Sequence, residues 1–101
     1  MLALEIRVNG ELKAVCGDDA LDSLGVWLRA LRKGATSAKD FDLEFSCQGH
    51  RNVDAENGEI LKWVHARAKI GDAFTVRFVE VERAHEPIDR QMFKKQVPPD
   101  A

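Results

Sequence analysis

DDALDSLGVWLRALRKG, residues 18 to 34, decides how this chain is read. Ala20, Leu21, Leu24, Trp27, Leu28 and Leu31 recur at the three- and four-residue spacing of an apolar helix stripe. Asp18 or Asp19 stands where a helix start needs a side-chain acceptor, and Asp22 places negative charge at the positive end of the helix dipole. Arg29, Arg32 and Lys33 crowd the last turn, and Gly34 offers the left-handed stop. The spacing predicts an amphipathic helix, and with it an α+β fold.

Upstream, residues 2 to 8 (LALEIRV) and 12 to 16 (LKAVC) alternate apolar with polar and flank Asn9-Gly10, a strong hairpin signal because both residues tolerate positive φ. A two-residue turn puts Val8 opposite Glu11 and Ile6 opposite Lys13, apolar against charged. Keeping Leu4, Ile6 and Val8 in phase with Leu12, Ala14 and Cys16 therefore requires a three-residue loop or a bulge.

Downstream, Phe41, Leu43, Phe45 and Cys47 alternate with Asp42, Glu44 and Ser46, the pattern of a half-buried strand. Residues 48 to 58 are rich in turn formers. Ile60, Leu61, Val64 and Ala68 then suggest a second, shorter helix ending near Ile70-Gly71-Asp72. Phe74, Val76 and Phe78 form a strand, and the change of phase at Val79 and Val81 suggests a bulge or burial on both faces, as of an inner strand. The expected order is β-β-α-β-α-β, a sheet of about four strands with two helices mainly on one face, β-grasp-like in element order alone. Residues 1–83 make this single domain. Residues 84–101 form a polar tail in which Pro87 can open a short docking helix carrying Ile88, Met92 and Phe93 on one face.

Several segments carry a resemblance: Val8-Asn9-Gly10-Glu11, Leu24-Gly25-Val26-Trp27-Leu28, Glu59-Ile60-Leu61-Lys62-Trp63, Lys69-Ile70-Gly71-Asp72 and Val76-Arg77-Phe78-Val79-Glu80, with Pro87. In these the chain resembles a family of small uncharacterised bacterial proteins. The loop after the third strand departs from that family's glycine-rich pattern, reading Cys47-Gln48-Gly49-His50-Arg51-Asn52. The resemblance implies a fold and a bacterial or phage origin, and no activity.

Composition narrows the function classes. The 101 residues carry 15 basic and 17 acidic side chains, a net charge of −2, without the dense basic face that nucleic acid requires. No apolar run approaches the roughly 18 residues of a membrane span, and the N-terminus alternates like a strand rather than a signal peptide. A cytoplasmic protein that binds neither nucleic acid nor membrane is expected.

The residues that could carry chemistry are few. Cys47 and His50 have half of a zinc-site spacing, and His65 and Cys16 are further candidate ligands, but four ligands are needed and only one close pair exists. Residues 52 to 58 place oxygen ligands at alternate positions, yet Asn57 stands where a calcium loop needs glycine and Trp63 where it needs an acid. A thiolate paired with His50 or His65 conflicts with the core-facing phase of both cysteines. Trp27 and Trp63 read as core residues. No catalytic residue, metal or cofactor is expected.

Acidic side chains do group, at Asp18, Asp19 and Asp22 and again at Asp40, Asp42 and Glu44 on and before the outer face of a strand. Asp40, Asp42 and Glu44, with Ile88, Met92 and Phe93 of the tail, make the candidate partner-binding set. The sequence points to a non-enzymatic protein-interaction module engaging a partner with a basic surface. Its sharpest form is a bacterial or phage neutraliser: an immunity protein, antitoxin or inhibitor. The alternative is a small enzyme or metal-binding protein using Cys47, His50 and His65.

Overall fold

In the computed structural model, which describes residues 1–32, 41–52 and 57–94, Ser23–Arg32 is a ten-residue strand and not a helix. The chain is all-β among the described residues. Its seven strands are β1 (Leu2–Val8), β2 (Glu11–Cys16), β3 (Ser23–Arg32), β4 (Phe41–Arg51), β5 (Asn57–Arg67), β6 (Phe74–Glu80) and β7 (Asp89–Lys94). They form two antiparallel sheets, β2-β1-β6 and β3-β4-β5-β7. The α+β expectation with two helices is thereby overturned.

The reason lies in a degenerate pattern. Leu24, Val26, Leu28 and Ala30 alternate with Gly25, Trp27, Arg29 and Leu31, so the stretch serves a strand as well as a helix stripe. Gly25 costs a helix interior about 1 kcal/mol relative to alanine, and Val26 and Trp27 lose side-chain freedom there. The long antiparallel ladder with β4 decides the matter, setting Val26 opposite Cys47 and Leu28 opposite Phe45 on one face.

The second expected helix fails through a bulge. Cys47 pairs with Val64 and Gln48 with Lys62, leaving Trp63 as the extra residue of β5. That insertion slips the strand's phase by one, so Leu61 and Trp63 before it and Val64, Ala66 and Ala68 after it all pack on the core, and the subset Leu61, Val64 and Ala68 imitates a helix stripe. The tail's expected helix is likewise extended: Asp89–Lys94 pairs with β5 along Lys62–Asn57.

The hairpin turn has two residues, Asn9 at φ 53° and Gly10 at φ 83°. Phase is restored instead by a bulge at Lys13, after which Ile6 faces Ala14 and Leu4 faces Cys16. β6, expected as an inner strand, is an edge strand paired to β1 alone among the described residues.

Between the sheets, Ile6, Val8, Ala14 and Cys16 meet Phe45, Cys47, Leu61 and Trp63. The Phe45 and Phe74 rings approach across the gap at 5.0 Å and 59°. Gly49 keeps β4 low beneath the β2–β3 connection, since a Cβ there would stand 2.8 Å from the Leu21 side chain and 3.0 Å from the Ser23 carbonyl oxygen.

One side of the sandwich is laced shut. The segment after β6 crosses to the free edge of β2, where His85 donates its backbone N–H to the Val15 carbonyl and accepts the Val15 N–H at Nδ1. Trp63 Nε1 donates to the His85 carbonyl at 2.7 Å, and Ile88 N–H reaches the Lys62 carbonyl. The opposite side, bounded by β6 and β3, has no such strap among the described residues. Among the described residues no helix is long and apolar enough to cross a membrane.

Candidate functional site

The acidic face expected on β4 is a mosaic of paired charges. Glu44 accepts from Arg29 Nε at 2.7 Å and from His65 Nε2 at 3.1 Å, so bases from β3 and β5 flank it on both sides. The His65 hydrogen bond, with Arg29, holds the Glu44 carboxyl below the usual carboxylate range. Asp42 lies 3.8 Å from Arg67, while Asp40 falls outside the described residues. Trp27 is 46% exposed on this face, its indole lying over Gly25, where a Cβ would stand 2.8 Å from the ring.

The tail residues occupy other surfaces. Met92 is exposed opposite Glu59, on the face of its sheet that looks toward β1 and β2. Ile88 is exposed in the connection before β7, and Phe93 is placed by its backbone opposite Gly58. Asp42 and Glu44 on the outer face and Met92 on the inner one do not share a surface.

The residues of the enzyme alternative are separated by the pleat. Cys47 points into the core, whereas His50 and His65 belong to the outer face, the latter opposite Ser46. Along β4 the two histidine positions are four residues apart, roughly 13 Å. The Cys47 thiol instead hydrogen-bonds the Cys16 thiol of the other sheet, and that bond together with burial pushes the Cys16 thiol well up. No group of three or more His, Cys, Asp or Glu converges as a metal site among the described residues.

A charge cluster closes the end of the sandwich nearest the tail. Arg51 pairs with Asp18 and with Glu59, and Arg90 reaches the same Glu59 at 3.2 Å. Burial pushes the Asp18 carboxyl up, but the Ala20 N–H and the Arg51 guanidinium together pull it below its ordinary value. This cluster reads as structural glue between the β2–β3 connection, β4, β5 and β7.

What sequence reasoning missed is the open side. Phe78 is 79% exposed and Val76 is exposed, although both stand on the same face of β6 as Phe74, which packs on the core. Across the gap Leu28, on the inner face of β3, is 61% exposed. Phe78 shares a depression with Leu21 and Leu24, and Phe74 shares another with Leu28, Ala30 and Ile70. An exposed apolar row along the mouth of a core marks a binding surface more often than a scattered single residue does. The sequence signal was the alternation Phe74, Val76, Phe78 itself, which gives the inward face without saying that nothing among the described residues covers it.

Against models of protein families, curated proteins and solved structures, the chain shows no match. Nothing in those comparisons therefore supports the words immunity protein or antitoxin, and the β-grasp-like order is withdrawn with the helices.

Proposed function

We propose that this chain is a non-enzymatic protein-interaction module that engages its partner through the open side between β3 and β6. The observation that supports this reading is the contrast between the two sides of one sandwich. One is strapped by His85, Ile88 and Trp63; the other leaves Leu28, Val76 and Phe78 facing water at the edge of the core. Exposed strand edges add backbone N–H and C=O groups to that apolar row, the chemistry by which a strand is added to a sheet. Two free thiols at the centre of the core suit a reducing compartment, and the cytoplasm is the proposed location.

A photo-crosslinking amino acid at Phe78 tests the reading in the native host, with the same probe at Glu11 on the hairpin as the control. A discrete adduct from position 78 and none from position 11 is expected. Equal labelling from both, or none from either, removes the support.

A further inference from the structure

We propose that the occupant of the open side is a second copy of this chain, related by a two-fold axis normal to the sheets. The proposal rests on the interaction reading above and names its partner. β6 and β3 end their sheets on the same side of the sandwich, so two copies turned about such an axis extend both sheets at once. β6 lacks two of the devices that blunt an edge: Thr75-Val76-Arg77-Phe78-Val79 contains no proline and pairs with β1 without a bulge. Its one charge in that stretch, Arg77, is drawn back onto its own sheet by Glu5 at 2.8 Å.

The pleat fixes the register. Directly opposed residues of an antiparallel pair face the same way, so an axis that keeps the apolar faces continuous must pass through a residue position. Centred on Arg77 it opposes two guanidinium groups. Centred on Val76 it sets Phe78 against the second copy's Phe74, Val76 against its mate, and Arg77 against Thr75. Cross-strand aromatic pairs of this kind stabilise a sheet, and opposed like charges do not.

The same axis suits β3. Phe74 lies by Leu28 and Ala30 and Phe78 by Leu24, so Val76 stands over the Val26–Leu28 stretch of β3. Centred on Leu28, the axis opposes Leu28 to its mate and Val26 to Ala30 inside. Outside, it opposes Trp27 to Arg29, a cation-on-indole pair. A side roughly 33 Å long, from ten residues of strand, and 18 Å thick presents roughly 600 Å² per copy. The pair buries on the order of 1,200 Å² in all, which reaches the range of specific interfaces.

Sedimentation equilibrium of the full chain at micromolar concentration is expected to return twice the chain mass. Phe78→Glu, at a position already in water, should stay folded by circular dichroism and weaken association roughly tenfold or more. Val76→Cys, placed on the axis, should give a disulfide-linked dimer on mild oxidation, because paired strands hold such Cα atoms within bridging distance. A wild-type chain that sediments only as a monomer overturns the proposal. So does a dimer indifferent to Phe78→Glu in which Val76→Cys does not cross-link. A monomer whose Phe78 probe still captures a different protein refutes the second copy alone; absence of any adduct removes the interaction reading as well.

Discussion

Replacing Trp63 separates what holds this sandwich shut from what merely decorates it. Trp63 is 4% exposed and its indole N–H is donated to the His85 carbonyl, so one side chain fills the core and ties down the crossing to β7. Trp63→Phe deletes that hydrogen bond, about 1 kcal/mol net. The smaller ring also gives up roughly 40 Å² of buried apolar surface, about 1 kcal/mol more. The vacated space raises the total to about 2–3 kcal/mol, and Trp63→Ala should reach about 3–5 kcal/mol. In a domain of this length Trp63→Phe lowers the Tm by roughly 8–20 °C. Trp27→Phe, on the half-exposed outer face, should stay within about 0.5 kcal/mol. Urea and thermal melts followed by circular dichroism measure all three. Hydrogen exchange adds a local reading, because Trp63→Phe should speed exchange at the His85 and Ile88 amides before the β1 amides. Equal losses for Trp63→Phe and Trp27→Phe would refute the strap, as would unchanged exchange at His85.

The remaining predictions concern titrating groups. Cys16 and Cys47 should resist thiol reagents at mildly alkaline pH and label only on unfolding, since the Cys47 hydrogen bond and burial disfavour the Cys16 thiolate; rapid labelling of folded protein would show that the thiols do not face each other in the core. A disulfide forced between them would close a loop of roughly 30 residues, worth about 3–4 kcal/mol, read as a raised urea midpoint. Glu5, Glu44 and Asp72 are held below their usual carboxylate values, foremost by Arg77, His65 and Asn9 respectively. Because their folded values are depressed, their stabilisation is complete above the ordinary carboxylate range and is lost as pH falls through the depressed values. The urea midpoint should hold from neutrality to about pH 5 and drop below it, and Glu5→Gln should shallow that drop. A midpoint already falling between pH 7 and 6 contradicts the assignment.

The sequence was legible where one face of a strand is wet and its partner is near. Asn9-Gly10 and the Leu4, Ile6, Val8 alternation announce the first hairpin, and Phe41 to Cys47 announce β4. Elsewhere the pattern answered to two periods. In β3 the leucines at 24, 28 and 31 satisfy a helix stripe, while alternation is satisfied by Leu24, Val26, Leu28 and Ala30; only the ladder with β4, a tertiary fact, chooses between them. In β5 the extra residue at Trp63 converts a strand into an apparent helix. At the candidate site, Glu44 is legible as outward-facing, but Arg29 and His65, the basic neighbours that pair with it, come from β3 and β5, whose apolar spacing imitates helices. The open side was hidden for a related reason: periodicity shows which way Phe78 points, not whether a neighbouring layer extends far enough to meet it.

The placement of β1 in the middle of its sheet has a consequence for synthesis. Its hairpin mate β2 follows at once, but its other neighbour, β6, ends at Glu80, 72 residues after Val8. At ordinary translation speeds that is a wait of roughly 4–14 s before the second partner has been made. Throughout it the nascent hairpin offers a ribbon of Leu4, Ile6 and Val8 to whatever is nearby. Glu5 and Arg7, interleaved on the other face, are then the gatekeepers of an unfinished sheet, and Glu5 takes up Arg77 only when the last strand of that sheet arrives.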